Sequence, residues 1–407
     1  MPLIRPFRAL RPAPGRAAEV LAPPYDVLSS AEARARAKGK PWSFLHISKP
    51  EIDLDPGVDP YDRAVYAKAA ENLANMTAAG ALARDATPCY YVYRLTWREH
   101  TQTGLAVAAS LADYASNRIR KHEHTTPLKE DDRVRQIEAV NAQTGPVMMG
   151  YPSAPVIDVM LADVARHPPD VDVTADDGVR HQLWVIDDEV AIAALTRAFD
   201  ALPALYIADG HHRSAAAARV AQARRNGDGA HRDFLAVLFP HHEMTILDYN
   251  RVIRDLNGHS PEQLLSKLRE RFTVTASEEP VRPARAAEFG MHLAGRWYRL
   301  TLRPDLVPAS DPIGRLPITL LAHNVIEPLF GITDPRTDKR IDFVGGGRGL
   351  LELQRRVASG EMAVAFALYP TQMDDLMAVA DAGGIMPPKS TWFEPKLADG
   401  MVSHVLD

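Results

Sequence analysis

The stretch Leu205–Arg213, L-Y-I-A-D-G-H-H-R, decides how this 407-residue chain is read. Leu205–Ala208 is a short apolar strand and the alanine-rich run Ser214–Asn226 is a helix, so the residues between them form a strand-to-helix turn. Gly210 permits a tight turn or the close approach of a ligand. The first N–H groups of the helix favour an anion. Arg213 can clamp a phosphate or carboxylate with two parallel donors. Asp209 can hold Mg2+ or orient a histidine. Capping a helix does not require an acid, two imidazoles and a guanidinium in one turn, so the turn is read as a functional site.

Outward from this turn, strands and helices mix without βαβ repetition, which gives an α+β class. Cys89–Thr96 and Leu105–Asp113 read as a hairpin, Phe234–Phe239 and Met362–Tyr369 as apolar strands, and Trp297–Leu302 as an alternating one. Ser30–Lys38, Asp62–Gly80, Arg133–Thr144, Val156–Ala165, Val190–Leu202, Pro261–Phe272, Pro317–Phe330, Leu350–Ser359 and Met373–Ala382 read as helices. The length predicts two or three packed units. The single cysteine, Cys89, excludes an internal disulfide and makes a reducing, cytoplasmic compartment the expectation. The prolines and arginines of Met1–Leu10 do not suit a signal peptide, and no apolar run is long enough for a membrane span. A net charge of −5 argues against a nucleic-acid partner.

Two further segments carry chemistry. Arg120–Arg133, R-K-H-E-H-T-T-P-L-K-E-D-D-R, sets Glu123 between His122 and His124, an arrangement suited to a general base. Lys129 and Arg133 are four residues apart and would face the same way on a helix, where they could cradle a diphosphate. Met386–Lys396, M-P-P-K-S-T-W-F-E-P-K, presents Lys389, Ser390 and Thr391 on a stiff loop suited to phosphate. Gly345–Gly349 lacks the P-loop pattern and reads as a surface connection. His241 and His242 could join Asp209, His211 and His212 around a metal, but their spacing matches no metalloprotease motif. Cys89 reads as core.

Four marks in order, A-P-P-Y-D at Ala22–Asp26, K-H-E-H-T at Lys121–Thr125, D-G-H-H-R at Asp209–Arg213 and M-P-P-K-S-T at Met386–Thr391, resemble a prokaryotic family of unknown function of about 400 residues. That family in turn resembles the shorter ADP-dependent free serine kinases of the ParB/sulfiredoxin-like fold. The resemblance implies Glu123 as the base that activates a hydroxyl, with His122 and His212 in the catalytic group. It implies Asp209, Gly210, His211 and Arg213 at nucleotide phosphates and metal, and Lys389, Ser390 and Thr391 at substrate or phosphate. This chain departs from the kinases in an N-terminal region of ~110 residues, an insertion between Glu123 and Asp209, and Trp392 where they have an arginine.

The expected organisation is an N-terminal α+β region over 1–110, a ParB/sulfiredoxin-like catalytic core over 111–260 with an insertion at about 150–200, and a C-terminal α/β region over 261–407 that completes the site. The expected activity is a phosphotransferase using ADP or ATP and Mg2+ on free serine or a similar hydroxyl compound, in either direction. A metal-dependent phosphoester hydrolase and a non-catalytic nucleotide-binding regulator are the alternatives. A homo-oligomer stays open.

Overall fold

The computed structural model describes residues 2–224 and 229–407. Its contacts divide the chain into two compact units, Met1–Met244 with Pro395–Asp407, and Thr245–Glu394. These boundaries differ from the expected ones near 110 and 260. Residues on both sides of 110 belong to one sheet, because Tyr90–Trp97 and Asp233–Pro240 both pair with His100–Ser110.

The first unit is built on a nine-stranded sheet. Its order is Ile119–Arg120, Leu205–Asp209, Val147–Tyr151, Asp233–Pro240, His100–Ser110, Tyr90–Trp97, Arg180–Ile186 and Val171–Thr174, with Ile4–Arg5 also paired to His100–Ser110. Two of the pairings are parallel: Ile119–Arg120 with Leu205–Asp209, and Val147–Tyr151 with Asp233–Pro240. The others are antiparallel, and the class is α+β. Asp233–Pro240 is buried at every position, as expected of an inner strand covered on both faces. Helices Pro155–Val164 and Glu189–Asp200 cover one face through Ile157, Leu161, Leu195 and Phe199. The expected insertion at 150–200 thus supplies this helical cover and the two strands at one end of the sheet.

Helix Pro127–Val140 packs on helix His211–Ala223 through Ile137, Ala216 and Val220, and Arg219 on the second helix pairs with Glu130 and Asp131 on the first. Both helices begin earlier than the sequence patterning indicates. Pro127 occupies the first turn, where its missing N–H costs nothing. Gly210, with φ +101°, caps the second helix directly after the strand, so His211, His212 and Arg213 form its first turn. The predicted end of that helix at Asn226 lies outside the described residues.

The second unit is a six-stranded antiparallel sheet ordered Phe272–Ser277, Arg296–Leu302, Glu288–Leu293, Val364–Leu368, Tyr249–Ile253 and Ile341–Gly345. A two-stranded ribbon, Thr245–Leu247 with Trp392–Glu394, joins its first and last residues. The predicted helix Pro317–Phe330 is interrupted: an α-turn over Pro317–Leu321 passes into a π-helical turn over Ala322–Ile326 before Glu327–Phe330. Gly345 ends a strand whose neighbour is the Trp392 ring, so this part of the glycine run is packed instead of being a surface connection. Among the described residues no helix is long and apolar enough to cross a membrane.

Phe199 is fully buried and meets Tyr151 edge-to-face at 5.2 Å. Phe199→Ala should cost the first unit about 3–5 kcal/mol, read as a lowered denaturant midpoint with unchanged m-value. A loss under 1 kcal/mol would show that the helical cover is not part of the cooperative core.

Candidate functional site

Two short pairings, Leu205 with Ile119 and Tyr206 with Arg120, run parallel, so both chains leave the sheet at the same end. There the loop after Arg120 meets the turn after Asp209. The backbone N–H of His122 donates to Nε2 of His211 at 3.4 Å, and the two rings meet edge-to-face at 4.5 Å. With Nε2 accepting, a neutral His211 carries its proton on Nδ1, which lies 3.8 Å from Oε2 of Glu123. Both histidines are buried, while the Glu123 side chain is 50% exposed. Neither ring nitrogen of His122 completes a hydrogen bond. Burial pushes the His122 pKa down to about 4, and the nearby Ile207 backbone and Asp209 offset this only in part. Burial, with His122 beside it, holds His211 well below its ordinary value. Glu123 therefore rests on two neutral imidazoles and faces outward.

His212 accepts at Nε2 from the Thr126 backbone N–H, 3.2 Å, which ties the second histidine to the start of the neighbouring helix. Burial and Lys129 lower its pKa. Asp209 sits between Arg213 Nη2 at 2.9 Å and Lys396 Nζ at 3.7 Å. Burial opposes its ionisation, but Lys396 and Arg213 outweigh that and hold its carboxyl well below the usual range. Gly210 is needed here for two reasons: its positive φ, and Arg213 Nε, which a Cβ would approach to 2.9 Å.

Arg213, expected as a phosphate clamp, points inward. It donates to Asp209 and to the Pro146 carbonyl and borders a cavity of about 30 Å³ with Tyr25, Arg133, Gln143 and Asp399. That is a water-sized space. Arg133 is also turned inward, paired with Asp132 at 2.6 Å and stacked on Tyr25 at 3.9 Å. Lys129 and Arg133 do share a larger cavity of about 160 Å³ with Tyr25, Lys49, Glu51 and Tyr66. Lys389, Ser390 and Thr391 belong to the other compact unit. There the Lys389 carbonyl accepts from Arg251, and the Ser390 hydroxyl donates to the Pro387 carbonyl.

Three residues beside the turn escaped the site reading. Tyr25 lies in the A-P-P-Y-D mark and Lys396 in the segment ending F-E-P-K, but neither was given a role. Asp399 has no local signal at all. It is buried, its Oδ2 accepts from the Tyr25 N–H at 3.2 Å, and its Oδ1 has no partner. Burial pushes its pKa up to about 7 against the pull of Arg213 and Arg133.

One oxygen-and-nitrogen set could hold a metal: ligand atoms of His122, Glu123 and His211 all lie within 4.8 Å of one another. Two imidazoles and one carboxylate suit a borderline transition metal better than Mg2+, which prefers oxygen. Asp209, expected as the metal ligand, is engaged by two cations. The residues therefore do not fit a protein-held Mg2+ at Asp209.

This α+β chain, with a histidine–carboxylate turn at the end of two parallel strands, belongs to the family described as Protein of unknown function (DUF1015), which matches residues 4–320. No curated protein matches it. Among solved structures it is similar to a free serine kinase mutant in complex with AMP, at 11% identity and a TM-score of 0.35 over 68% of this chain and 84% of that one. It is also similar to a conserved hypothetical protein from Pyrococcus furiosus, at 12% identity and TM-score 0.34 over 71% and 93%. SbnI with C-terminal truncation from Staphylococcus aureus gives 14% identity and TM-score 0.35 over 70% and 84%.

Removing Arg213 leaves a half-buried carboxylate with one fewer cation. Arg213→Ala should destabilise the protein by about 3 kcal/mol, with partial recovery in Arg213→Lys; an unchanged melting temperature would return Arg213 to the phosphate role. Asp399 gives a pH signature. Its folded pKa near 7 lies above the ordinary aspartate value of 3.8, so its contribution to stability falls as pH rises from about 4 to about 7 and is flat above. Asp399→Asn should match wild type near pH 4 and exceed it at pH 8, by up to about 4 kcal/mol. Equal stability at pH 8 would mean that Asp399 is not a desolvated acid.

Proposed function

We propose that this protein is a nucleotide-dependent phosphotransferase that acts on free serine or a similar small hydroxyl compound. The observation that carries the reading is the half-exposed Glu123 carboxylate set over buried His211 and His122, beside the start of the His211–Ala223 helix. Phosphoryl transfer asks a protein for positioning, charge and a base near the acceptor oxygen. In this reading Glu123 takes the hydroxyl proton as that oxygen attacks the terminal phosphorus, and the nucleotide departs one phosphate shorter. His211, with its proton on Nδ1, holds the carboxylate in place, and His122 buttresses His211. His212 joins the turn to the neighbouring helix.

In this reading the phosphates rest at the His211 and His212 N–H groups that open that helix; the next two, of Arg213 and Ser214, are bonded to the Gly210 carbonyl. Lys129 supplies positive charge from the adjacent helix. Arg213 acts indirectly: it and Lys396 keep Asp209 ionised under the turn. Mg2+ would enter with the nucleotide, since the ion usually keeps most of its ligands as phosphate and water. The order of K-H-E-H-T and D-G-H-H-R, which resembles that of the ADP-dependent free serine kinases, supports ADP as donor and serine as acceptor. It also supports a ParB/sulfiredoxin-like core made from Ile119–Thr144 and Leu205–Phe239. The reaction is close to balanced, so phosphoserine and AMP can run it backwards.

The His122, Glu123 and His211 set favours a second reading, a metal-dependent phosphoester hydrolase. One experiment separates the two. Purified protein is incubated with serine, Mg2+ and ADP or ATP, and phosphoserine and the shortened nucleotide are quantified. Glu123→Gln should lower turnover by about 10²–10⁴-fold while nucleotide affinity persists. Near-normal turnover in that variant removes Glu123 as base. Phosphate release without serine, dependent on Zn2+ or Mn2+, favours the hydrolase.

A further inference from the structure

The second unit holds a cavity of about 320 Å³. Its floor is Arg251, 2% exposed and held on the strand Tyr249–Ile253. A buried guanidinium is ordinarily paired with an acid. Among the described residues no carboxylate forms an ion pair with Arg251. Its Nη1 donates to the Tyr249 carbonyl at 2.6 Å and the Asn250 carbonyl at 3.5 Å, and its Nη2 to the Lys389 carbonyl at 2.9 Å. The Phe343 and Tyr249 rings stack beside it at 4.7 and 5.6 Å. These contacts fix the plane of the group and leave donors over, since guanidinium has five N–H bonds.

A second polar atom points the same way. Thr319 lines the cavity, is 6% exposed, and its hydroxyl has no hydrogen-bond partner. The rest of the lining combines an apolar part, Ile318, Ile326, Ile332, Phe343, Pro387 and Pro388, with the polar His323, Glu327, Asp334 and Arg336. The wall is shaped by the π-helical turn Ala322–Ile326, a form of helix that concentrates at functional sites.

We propose that this cavity binds a small monocarboxylate with an apolar body. The carboxylate would take the spare donors of Arg251 and the hydroxyl of Thr319, and the hydrocarbon would lie against the isoleucines and prolines. Of the acids that also line the cavity, Asp334 is paired with Arg336 at 2.9 Å, while Glu327, 4.0 Å from His323, disfavours a multiply charged anion such as a phosphate ester. The volume is at the lower end for small-molecule sites and admits a ligand on the order of ten non-hydrogen atoms, at ~30 Å³ each.

The test uses the full chain, with octanoate as probe, octanamide as its neutral counterpart and inorganic phosphate as the competing anion, followed by calorimetric titration and melting temperature. Octanoate should bind and raise the melting temperature, and the amide and phosphate should bind at least tenfold more weakly. Thr319→Val should weaken octanoate about tenfold, and Ile318→Trp, which fills the cavity, should abolish binding while the protein stays folded. Arg251→Gln should also abolish it; because that variant risks misfolding, the other two decide. No octanoate binding, equal binding of acid and amide, or binding that Thr319→Val and Ile318→Trp leave unchanged would overturn the proposal.

Discussion

The parallel pairing of Ile119–Arg120 with Leu205–Tyr206 is the constraint on which the site depends. It is only two residue pairs long, and it lies at one end of the sheet. Its direction matters more than its length. Two parallel strands release their chains at the same end, so the loop with His122 and Glu123 and the turn with Asp209–Arg213 emerge side by side. An antiparallel pair would send them to opposite ends. The packing of Pro127–Val140 on His211–Ala223 then holds both exits, through a small apolar seam and the pairing of Arg219 with Glu130 and Asp131. Strand ends of this kind are where α/β proteins commonly place ligands.

The electrostatics around the turn follow from the same packing. Burial keeps His122 and His211 neutral, whereas Asp209, only partly buried, stays charged because two cations accompany it. Among the described residues Asp399 has no direct ion pair, and it holds its proton to near neutrality. The two carboxyls, Asp209 and Asp399, thus take opposite protonation states below neutrality, each fixed by its nearest neighbours.

Much of this was legible in the residues. The strand before Asp209, the helix after it, the hairpin at 89–113 and the α+β class all follow from local pattern. So does the prominence of Glu123 and the D-G-H-H-R turn. The start of the helix was misplaced by three residues because Gly210 caps it through its own positive φ, without a side-chain cap to mark the spot. The inward direction of Arg213 and Arg133 could not be read, since a guanidinium beside a turn looks alike whether it meets solvent or a carboxylate. Asp399 comes from a distant segment and acquires its role only through burial. In the second unit, Glu288–Leu293 is buried on both faces, so it lacks the alternation that identifies a strand, and its Gly290 leaves room for the Val281 carbonyl.

The ribbon of Thr245–Leu247 with Trp392–Glu394 closes the second unit into a loop whose two ends lie on adjacent strands. The first unit is therefore interrupted for 150 residues and resumes only at Pro395. Lys396 and Asp399 both follow the interruption. During synthesis the ribosome finishes the whole second unit before either residue exists, so the turn at Asp209 forms first without its lysine. The order of translation makes the last segment a seal: the charge balance under D-G-H-H-R is completed only in a chain that has already been made through residue 399.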